Sequence, residues 1–126
     1  MKILVVDDDP VVGTIVNDFL TAHGHNIEVI DSGEKALAKL NGTTESPDMV
    51  ILDFVMPDMN GIDVLQKIKG TNKTESLPVV MLSANDDTGD ILEGYEFQAD
   101  HYLEKPFSIR KILDIIKILE AEKSLK

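Results

Sequence analysis

The stretch "KILVVDDDP", residues 2–10, joins a run of apolar residues directly to three aspartates and a proline. The apolar residues 3–6 are typical of a strand that is covered on both faces of a sheet. Two carboxylates about 4 Å apart repel each other by roughly 4 kcal/mol at an effective dielectric constant near 20. The stretch therefore predicts either a compensating positive charge at the end of this strand or side chains that point in different directions.

The residues after Pro10 change from a strand pattern to a helical one. Apolar residues at a spacing of four form two rows, which predict an amphipathic helix: Val11, Ile15 and Phe19 in one row, and Val12, Val16 and Leu20 in the other. Proline is favoured at the first helical position, so Asp9 is predicted to cap the helix while Asp7 and Asp8 face a site. Gly24 is predicted to end the helix in a left-handed conformation.

Strand and helix patterns alternate along the rest of the chain and predict five strand–helix units. The later strands are predicted at residues 27–30, 48–54 ("DMVILDF"), 77–84 ("LPVVMLSA") and 101–103 ("HYL"), and the later helices at 35–40, 62–68, 86–97 and 109–119. A polar loop is predicted at residues 41–46. Such alternation indicates an α/β protein, a doubly wound (βα)5 fold with a five-stranded parallel sheet and helices on both faces.

Composition limits the classes of protein to be considered. The 126 residues are expected to form a single domain, residues 1–126. The net charge of −11, from 23 acidic and 12 basic residues, argues against direct nucleic acid binding by this chain. There is no cysteine, and no apolar run reaches the length of a membrane span. We expect a cytoplasmic protein that does not bind a membrane.

Polar residues that could share a site follow the predicted strands. Asp7 and Asp8 follow the first strand, Asp53 the third, Ser83 the fourth and Lys105 the fifth. Ligands of open parallel sheets bind at the carboxyl ends of the strands, so these residues are expected at one edge. The acids offer oxygen ligands suited to Mg²⁺. Together with a lysine and a hydroxyl they indicate a site for a phosphoryl group, with one carboxylate as the nucleophile.

Four blocks of sequence, in order and over essentially the whole chain, resemble a known family: "ILVVDDDP", "MVILDFVMPDMNGIDVL", "PVVMLSA" and "ADHYLEKPF". The chain resembles the receiver domain of two-component response regulators, which has the chemotaxis-regulator fold. The resemblance implies a flavodoxin-like strand order, 2-1-3-4-5. It also implies that Asp53 accepts the phosphoryl group and that Asp7, Asp8, Asp53 and the backbone carbonyl of Val55 hold Mg²⁺.

The resemblance implies roles for further residues near the same edge. Lys105 corresponds to the lysine that contacts the phosphoryl group, and a cis bond is usual in the family at the position of Lys105–Pro106. Ser83 and Tyr102 correspond to the hydroxyl and aromatic switch residues. Ser83 stands where threonine is commoner, and Gln98 stands where glycine is usual, so the end of the fourth helix is expected to differ in detail.

The function implied is that of a phosphorylation switch in a two-component phosphorelay. A sensor histidine kinase or a histidine phosphotransfer protein would donate the phosphoryl group from a phosphohistidine to Asp53. The domain is then a signalling module that takes part catalytically in its own phosphorylation and dephosphorylation, rather than an enzyme with an independent substrate.

Two other functions fit part of the pattern. A Mg²⁺-dependent phosphohydrolase with an aspartyl nucleophile would have a D-x-D motif after the first strand and a cap over its substrate. Here the strand ends in D-D-D-P, and no segment is left to form a cap. A degenerate receiver that serves only as a binding module is disfavoured by the intact set of acids, hydroxyl and lysine.

The last predicted helix suggests a contact surface. Its main apolar face is expected to pack on the sheet: Ile109, Ile112, Leu113, Ile116 and Leu119. Ile115 lies at the margin of that face, and Ile118 and Leu125 fall well off it. Exposed apolar clusters often mark partner sites. The resemblance implies that the face formed by the fourth helix, the fifth strand and the last helix serves for output or homodimers, so we expect an output partner or a second copy of the chain to bind there.

Overall fold

Five parallel strands form a single sheet in the order β2-β1-β3-β4-β5. The strands are β1 (Lys2–Val6), β2 (Asn26–Ile30), β3 (Met49–Asp53), β4 (Val79–Ala84) and β5 (His101–Lys105). The computed structural model describes residues 1–42, 45–54, 56, 58–84, 99–105 and 108–124, with the backbone alone for Ser83, Ala84, Lys105 and Ser124. The predicted fold class and strand order are confirmed.

Four helices lie within the described residues: α1 (Pro10–Ala22), α2 (Gly33–Gly42), α3 (Gly61–Lys69) and α4 (Ile109–Ser124). The helix predicted at residues 86–97 lies outside the described part of the chain, as do Val55, Gln98, Pro106 and Leu125. Helix α2 continues to Gly42, so the loop predicted from Asn41 begins later than expected. None of the described helices is both long and apolar enough to cross a membrane.

The sheet separates two apolar clusters because successive strand residues point to opposite faces. On one face, strand residues pack with α2 and α3: Leu4, Val6, Val50, Leu52, Val79 and Met81. On the other face, their neighbours pack with α1 and α4: Ile3, Val5, Met49, Ile51, Val80 and Leu82. All five residues of the central strand β3 are buried. The carboxyl end of β3 is therefore held on a rigid element.

Helix α1 buries a narrower face than the sequence indicates. Gly13, Val16 and Leu20 are buried, whereas Val11 is 63% exposed and Ile15 is 54% exposed. A Cβ atom at Gly13 would lie 2.9 Å from Cγ1 of Val29, so glycine lets the helix approach β2 closely. The approach turns the Val16 row toward the sheet and leaves two members of the other row in solvent.

Helix α4 packs on the sheet through the predicted face. Ile112, Ile116 and Leu119 are buried, and Ile118 is 47% exposed, as expected. Ile115 differs from the prediction, because its side chain is only 9% exposed and belongs to the apolar cluster beneath the helix. The expected contribution of Ile115 to a partner surface is therefore wrong, and Ile118 is the exposed apolar residue of this helix within the described residues.

Candidate functional site

Asp7 and Asp53 meet because β1 and β3 are parallel neighbours in register. Val6 pairs with Leu52, and the next residue in each case is an aspartate: Asp7 directly follows β1, and Asp53 is the last residue of β3. Oxygen atoms of Asp7, Asp8 and Asp53 all lie within 4.8 Å of one another. The three acids therefore lie together at the carboxyl edge of the sheet, as predicted.

Two of the three carboxylates are removed from water. Asp7 is 2% exposed and Asp53 is 6% exposed, whereas Asp8 lies at the surface. Burial of a carboxylate is unfavourable unless hydrogen bonds or opposite charges compensate for the lost hydration. One such hydrogen bond is present, since the amide of Asp9 donates to Oδ1 of Asp7 at 2.9 Å.

The cluster fits a hard divalent cation. Its donors are all carboxylate oxygens, which such cations prefer. Ligand oxygens on opposite sides of Mg²⁺ or Ca²⁺ lie about 4–5 Å apart, so the spacing of these oxygens requires little rearrangement. A groove between α1 and α2 is lined by Asp7 and Asp8 and continues past Thr14 and Lys35.

Asp9 caps α1, as the sequence predicts. Its side chain accepts a hydrogen bond from the amide of Val11 at 2.9 Å, and its backbone is extended, with φ −80° and ψ 110°. Pro10 occupies the start of the helix, and Gly24, with φ +88°, follows its end. The predicted cap is confirmed, and Asp7 and Asp8 lie apart from it in the acidic cluster with Asp53.

The loop after Asp53 turns back tightly against that residue. The amide of Gly61 donates to the carbonyl of Phe54 at 2.7 Å. A Cβ atom at position 61 would lie 2.3 Å from the backbone oxygen of Asp53, so only glycine fits there. Asn60 then caps α3 by accepting from the amide of Asp63 at 3.0 Å.

Asp58, in the same loop, makes a contact that sequence patterns do not indicate. Its carboxylate accepts hydrogen bonds from two amides at the start of α2, Gly33 at 3.3 Å and Glu34 at 2.9 Å. The amide of Glu34 has the largest effect on the pKa of Asp58 and lowers it; a small loss of hydration opposes the shift, and the amide of Gly33 adds to it. The sequence signals only a turn here, because the partner amides lie on a distant segment.

The other predicted site residues are placed by the register of β4 and β5. Asp53 pairs with Leu82, so the backbone of Ser83 lies one residue beyond, and Lys105 pairs with Ala84. Both residues thus reach the carboxyl edge, although their side chains lie outside the described atoms. Tyr102 pairs with Met81 and packs, half-buried, against the cluster on the α2 and α3 face.

Comparison with known proteins agrees with this geometry. A family model described as the response regulator receiver domain matches residues 3–117. The transcriptional regulatory protein CpxR of Klebsiella pneumoniae is 40% identical over 118 residues, which are 94% of this chain and 48% of that protein. The probable transcriptional regulatory protein TcrX of Mycobacterium tuberculosis is 40% identical over 113 residues, 90% of this chain and 47% of that protein.

Solved structures show the same fold. The receiver domain of the Francisella response regulator 1452 is 33% identical, with a TM-score of 0.87 over 97% of this chain and 98% of that one. The chemotaxis protein CheY4 of Vibrio cholerae is 27% identical, with a TM-score of 0.84 over 94% of this chain and 97% of that one. The chain spans about half the length of the two curated relatives but nearly all of these two solved chains.

Replacement of Asp53 by asparagine should stabilise the metal-free protein. Asp53→Asn keeps the shape of the side chain and removes one of three clustered negative charges, so the free energy of unfolding should rise by roughly 1 kcal/mol or more. Urea denaturation at pH 7 with a chelator measures the change. Asp9→Ala is the contrasting variant, because it removes a cap and should lose about 1 kcal/mol. A clear loss of stability in Asp53→Asn would contradict the predicted repulsion.

Proposed function

The chain belongs to the response regulator receiver family, whose general function is phosphoryl transfer to an aspartate, and we propose that it forms a single receiver domain in which Asp53 is the acceptor. The observation that carries the proposal is the position of Asp53. It ends the central strand, is 6% exposed, and lies within 4.8 Å of the oxygens of Asp7 and Asp8. The two relatives that are transcriptional regulators are about twice as long as this chain.

The proposed reaction exchanges one bond to phosphorus for another. A carboxylate oxygen of Asp53 attacks the phosphorus of a phosphohistidine, the P–N bond breaks as the P–O bond forms, and the imidazole leaves with a proton. The product is a mixed anhydride on Asp53, which the domain later helps to hydrolyse. Bound Mg²⁺ would neutralise the phosphoryl oxygens. Asp7, Asp8 and the carbonyl of Val55 would hold that ion, and Lys105 would contact the phosphoryl oxygens.

A protein donor must bring its phosphohistidine to this edge, and α1 offers a surface for it. Val11 and Ile15, here called the α1 patch, are exposed apolar residues that follow the acidic cluster directly in the chain. Exposed apolar residues beside a reactive group are suited to docking a partner. We assign this surface to the sensor histidine kinase or histidine phosphotransfer protein that serves as donor.

The second proposed surface lies on α4 and concerns output. Phosphorylation would draw Ser83 toward the phosphoryl oxygens and leave room for Tyr102 to turn inward. That movement would bias the neighbouring face between two arrangements. Ile118, exposed by 47%, is the apolar residue on α4 through which a second copy or an output partner would respond.

Phosphorylation should require both Asp53 and Mg²⁺. With acetyl phosphate and Mg²⁺, the intact mass of the wild-type chain should increase by one phosphoryl group, and chelation should abolish most of the increase. Asp53→Asn should take up none, because the nucleophile is gone. Peptide mapping that found undiminished label in the Asp53→Asn variant would refute the assignment of the acceptor.

Mg²⁺ should stabilise the fold by mass action, and Asp8 rather than Asp9 should be needed for this. At ten times the dissociation constant the gain is about 1.4 kcal/mol. Asp8→Ala should remove the gain, whereas Asp9→Ala should keep it despite the loss of about 1 kcal/mol of capping. Thermal unfolding with and without Mg²⁺ measures both effects. A lost response in Asp9→Ala, with a normal one in Asp8→Ala, would show that the roles are reversed.

Lysine substitutions at the two exposed isoleucines should separate the two surfaces. The test uses a histidine kinase that phosphorylates the wild-type chain. Ile15→Lys should slow phosphoryl transfer from this kinase by about tenfold or more, because a charge replaces an apolar contact. Its labelling by acetyl phosphate should not change. Ile118→Lys should leave both reactions intact and weaken the self-association that sedimentation detects in the phosphorylated chain.

Each variant is the control for the other, since both add one lysine to an exposed helical position. Equal rates of phosphoryl transfer from the kinase to Ile15→Lys and to the wild-type chain would contradict the proposal that the α1 patch binds the donor. Monomeric sedimentation of wild-type and variant in every condition would remove the homodimer at Ile118.

A further inference from the structure

The backbone amides at the start of α2 donate hydrogen bonds to side chains from two separate parts of the chain. Ser32 accepts a hydrogen bond from the amide of Lys35 through its hydroxyl oxygen, at 3.1 Å. The two amides before it, those of Gly33 and Glu34, donate instead to the carboxylate of Asp58. The first amides of a helix have no partner within the helix, so both contacts fill a need of α2. Ser32 is local, however, whereas Asp58 belongs to the loop that follows Asp53.

That loop, residues 54–60 and here called the β3–α3 loop, also packs against the start of α2. A Cβ atom at Gly33 would lie 2.7 Å from Cγ of Met59 and 2.6 Å from Cγ2 of Val64. Glycine at position 33 therefore admits Met59 directly beside the helix. The ends of the loop are already joined by the hydrogen bond from Gly61 to Phe54. Asp58 and Met59 thus fix the middle of the loop to α2, and Gly61 fixes its base.

The charge of Asp58 suits this position. The amino end of a helix carries a partial positive charge and favours a carboxylate. Asp58 is exposed, and hydrogen bonds from the Glu34 amide, opposed by a small loss of hydration and aided by the Gly33 amide, lower the pKa of its carboxyl group.

We propose that Asp58 is a positioning residue, which holds the β3–α3 loop against α2 in the conformation that the metal and phosphoryl site requires. The inference rests on the proposed function, since the loop begins directly after Asp53, the proposed phosphoryl acceptor and a member of the acidic cluster. The coupling is reciprocal. If the Asp58 contact strengthens Mg²⁺ binding, then bound Mg²⁺ should strengthen that contact by the same free energy and slow hydrogen exchange of the Glu34 amide.

The test compares Asp58→Ala, Asp58→Asn and Ser32→Ala with the wild-type chain. Ser32→Ala is the matched control, because it also removes a cap from α2 but leaves the loop untouched. Hydrogen exchange of the peptide covering residues 54–61, in metal-free protein, should be faster in Asp58→Ala and unchanged in Ser32→Ala. Titration with Mg²⁺ should show about tenfold weaker binding for Asp58→Ala, as expected when a partner that orients ligands is lost. Ser32→Ala should bind as the wild type does.

Asp58→Asn keeps an acceptor oxygen and loses the charge, so its Mg²⁺ affinity should fall between those of the wild type and Asp58→Ala. It also serves if Asp58→Ala proves too unstable to measure. Asp58→Ala and Ser32→Ala could lose equal amounts of stability and both keep wild-type loop exchange and Mg²⁺ affinity. That result would show that Asp58 is only a helix cap and would overturn the proposal. Failure of the wild-type chain to bind Mg²⁺ would instead refute the proposed function, and exchange in metal-free protein would then decide alone whether Asp58 holds the loop.

Discussion

Electrostatic repulsion among three carboxylates is the constraint on which the site depends. The register of β1 and β3 places Asp7 beside Asp53, and Asp8 follows in the chain. The sheet can impose this arrangement because its two apolar clusters bury both faces of the strands that carry the acids. Burial of even one large apolar side chain contributes about 1.5–3 kcal/mol, so a core of this size outweighs a repulsion of a few kcal/mol. The domain thus holds acids together that would separate in a flexible chain.

The loops at this edge are held by specific contacts rather than by burial. Asp9 caps α1, Asn60 caps α3, and Gly61 lies against the backbone of Asp53 at a distance that no side chain would permit. Asp9 lies two positions after Asp7, and position 61 lies against the backbone of Asp53, so these contacts fix segments beside the clustered carboxylates. Since a cation requires its ligands within tenths of an ångström, such contacts influence metal affinity even where they add little to the stability of the whole domain.

Local patterns in the sequence were sufficient for the sheet, the cap of α1 and the acidic cluster. The apolar run before Asp7, the proline after Asp9 and the acid after the third strand each carry their own signal, and the rule for the carboxyl edge of parallel sheets brings them together. The patterns could not show which apolar row of α1 is buried, because that depends on how closely Gly13 approaches Val29. They also misplaced Ile115, since a residue at the margin of a helical face is covered or exposed according to its neighbours. The contact between Asp58 and α2 joins segments 24 and 25 positions apart, and no local pattern encodes it.

The repulsion among the carboxylates lowers the stability of the folded domain, and it also makes that stability sensitive to the binding of a positively charged ligand. A ligand that neutralises the acids stabilises every conformation in which they are close together, and it does so in proportion to the charge it compensates. The β3–α3 loop leaves Asp53 at one end and contacts α2 in its middle, so a change in its preferred conformation alters the contacts of Gly33 and Glu34. A rigid strand end gives the cluster its geometry, while the loop beside it would, on the proposed role of Asp58, transmit occupancy of the site to the start of α2. The two requirements are met by different segments, because a fully buried strand such as β3 is too tightly packed to move and an unsupported loop would not hold a ligand.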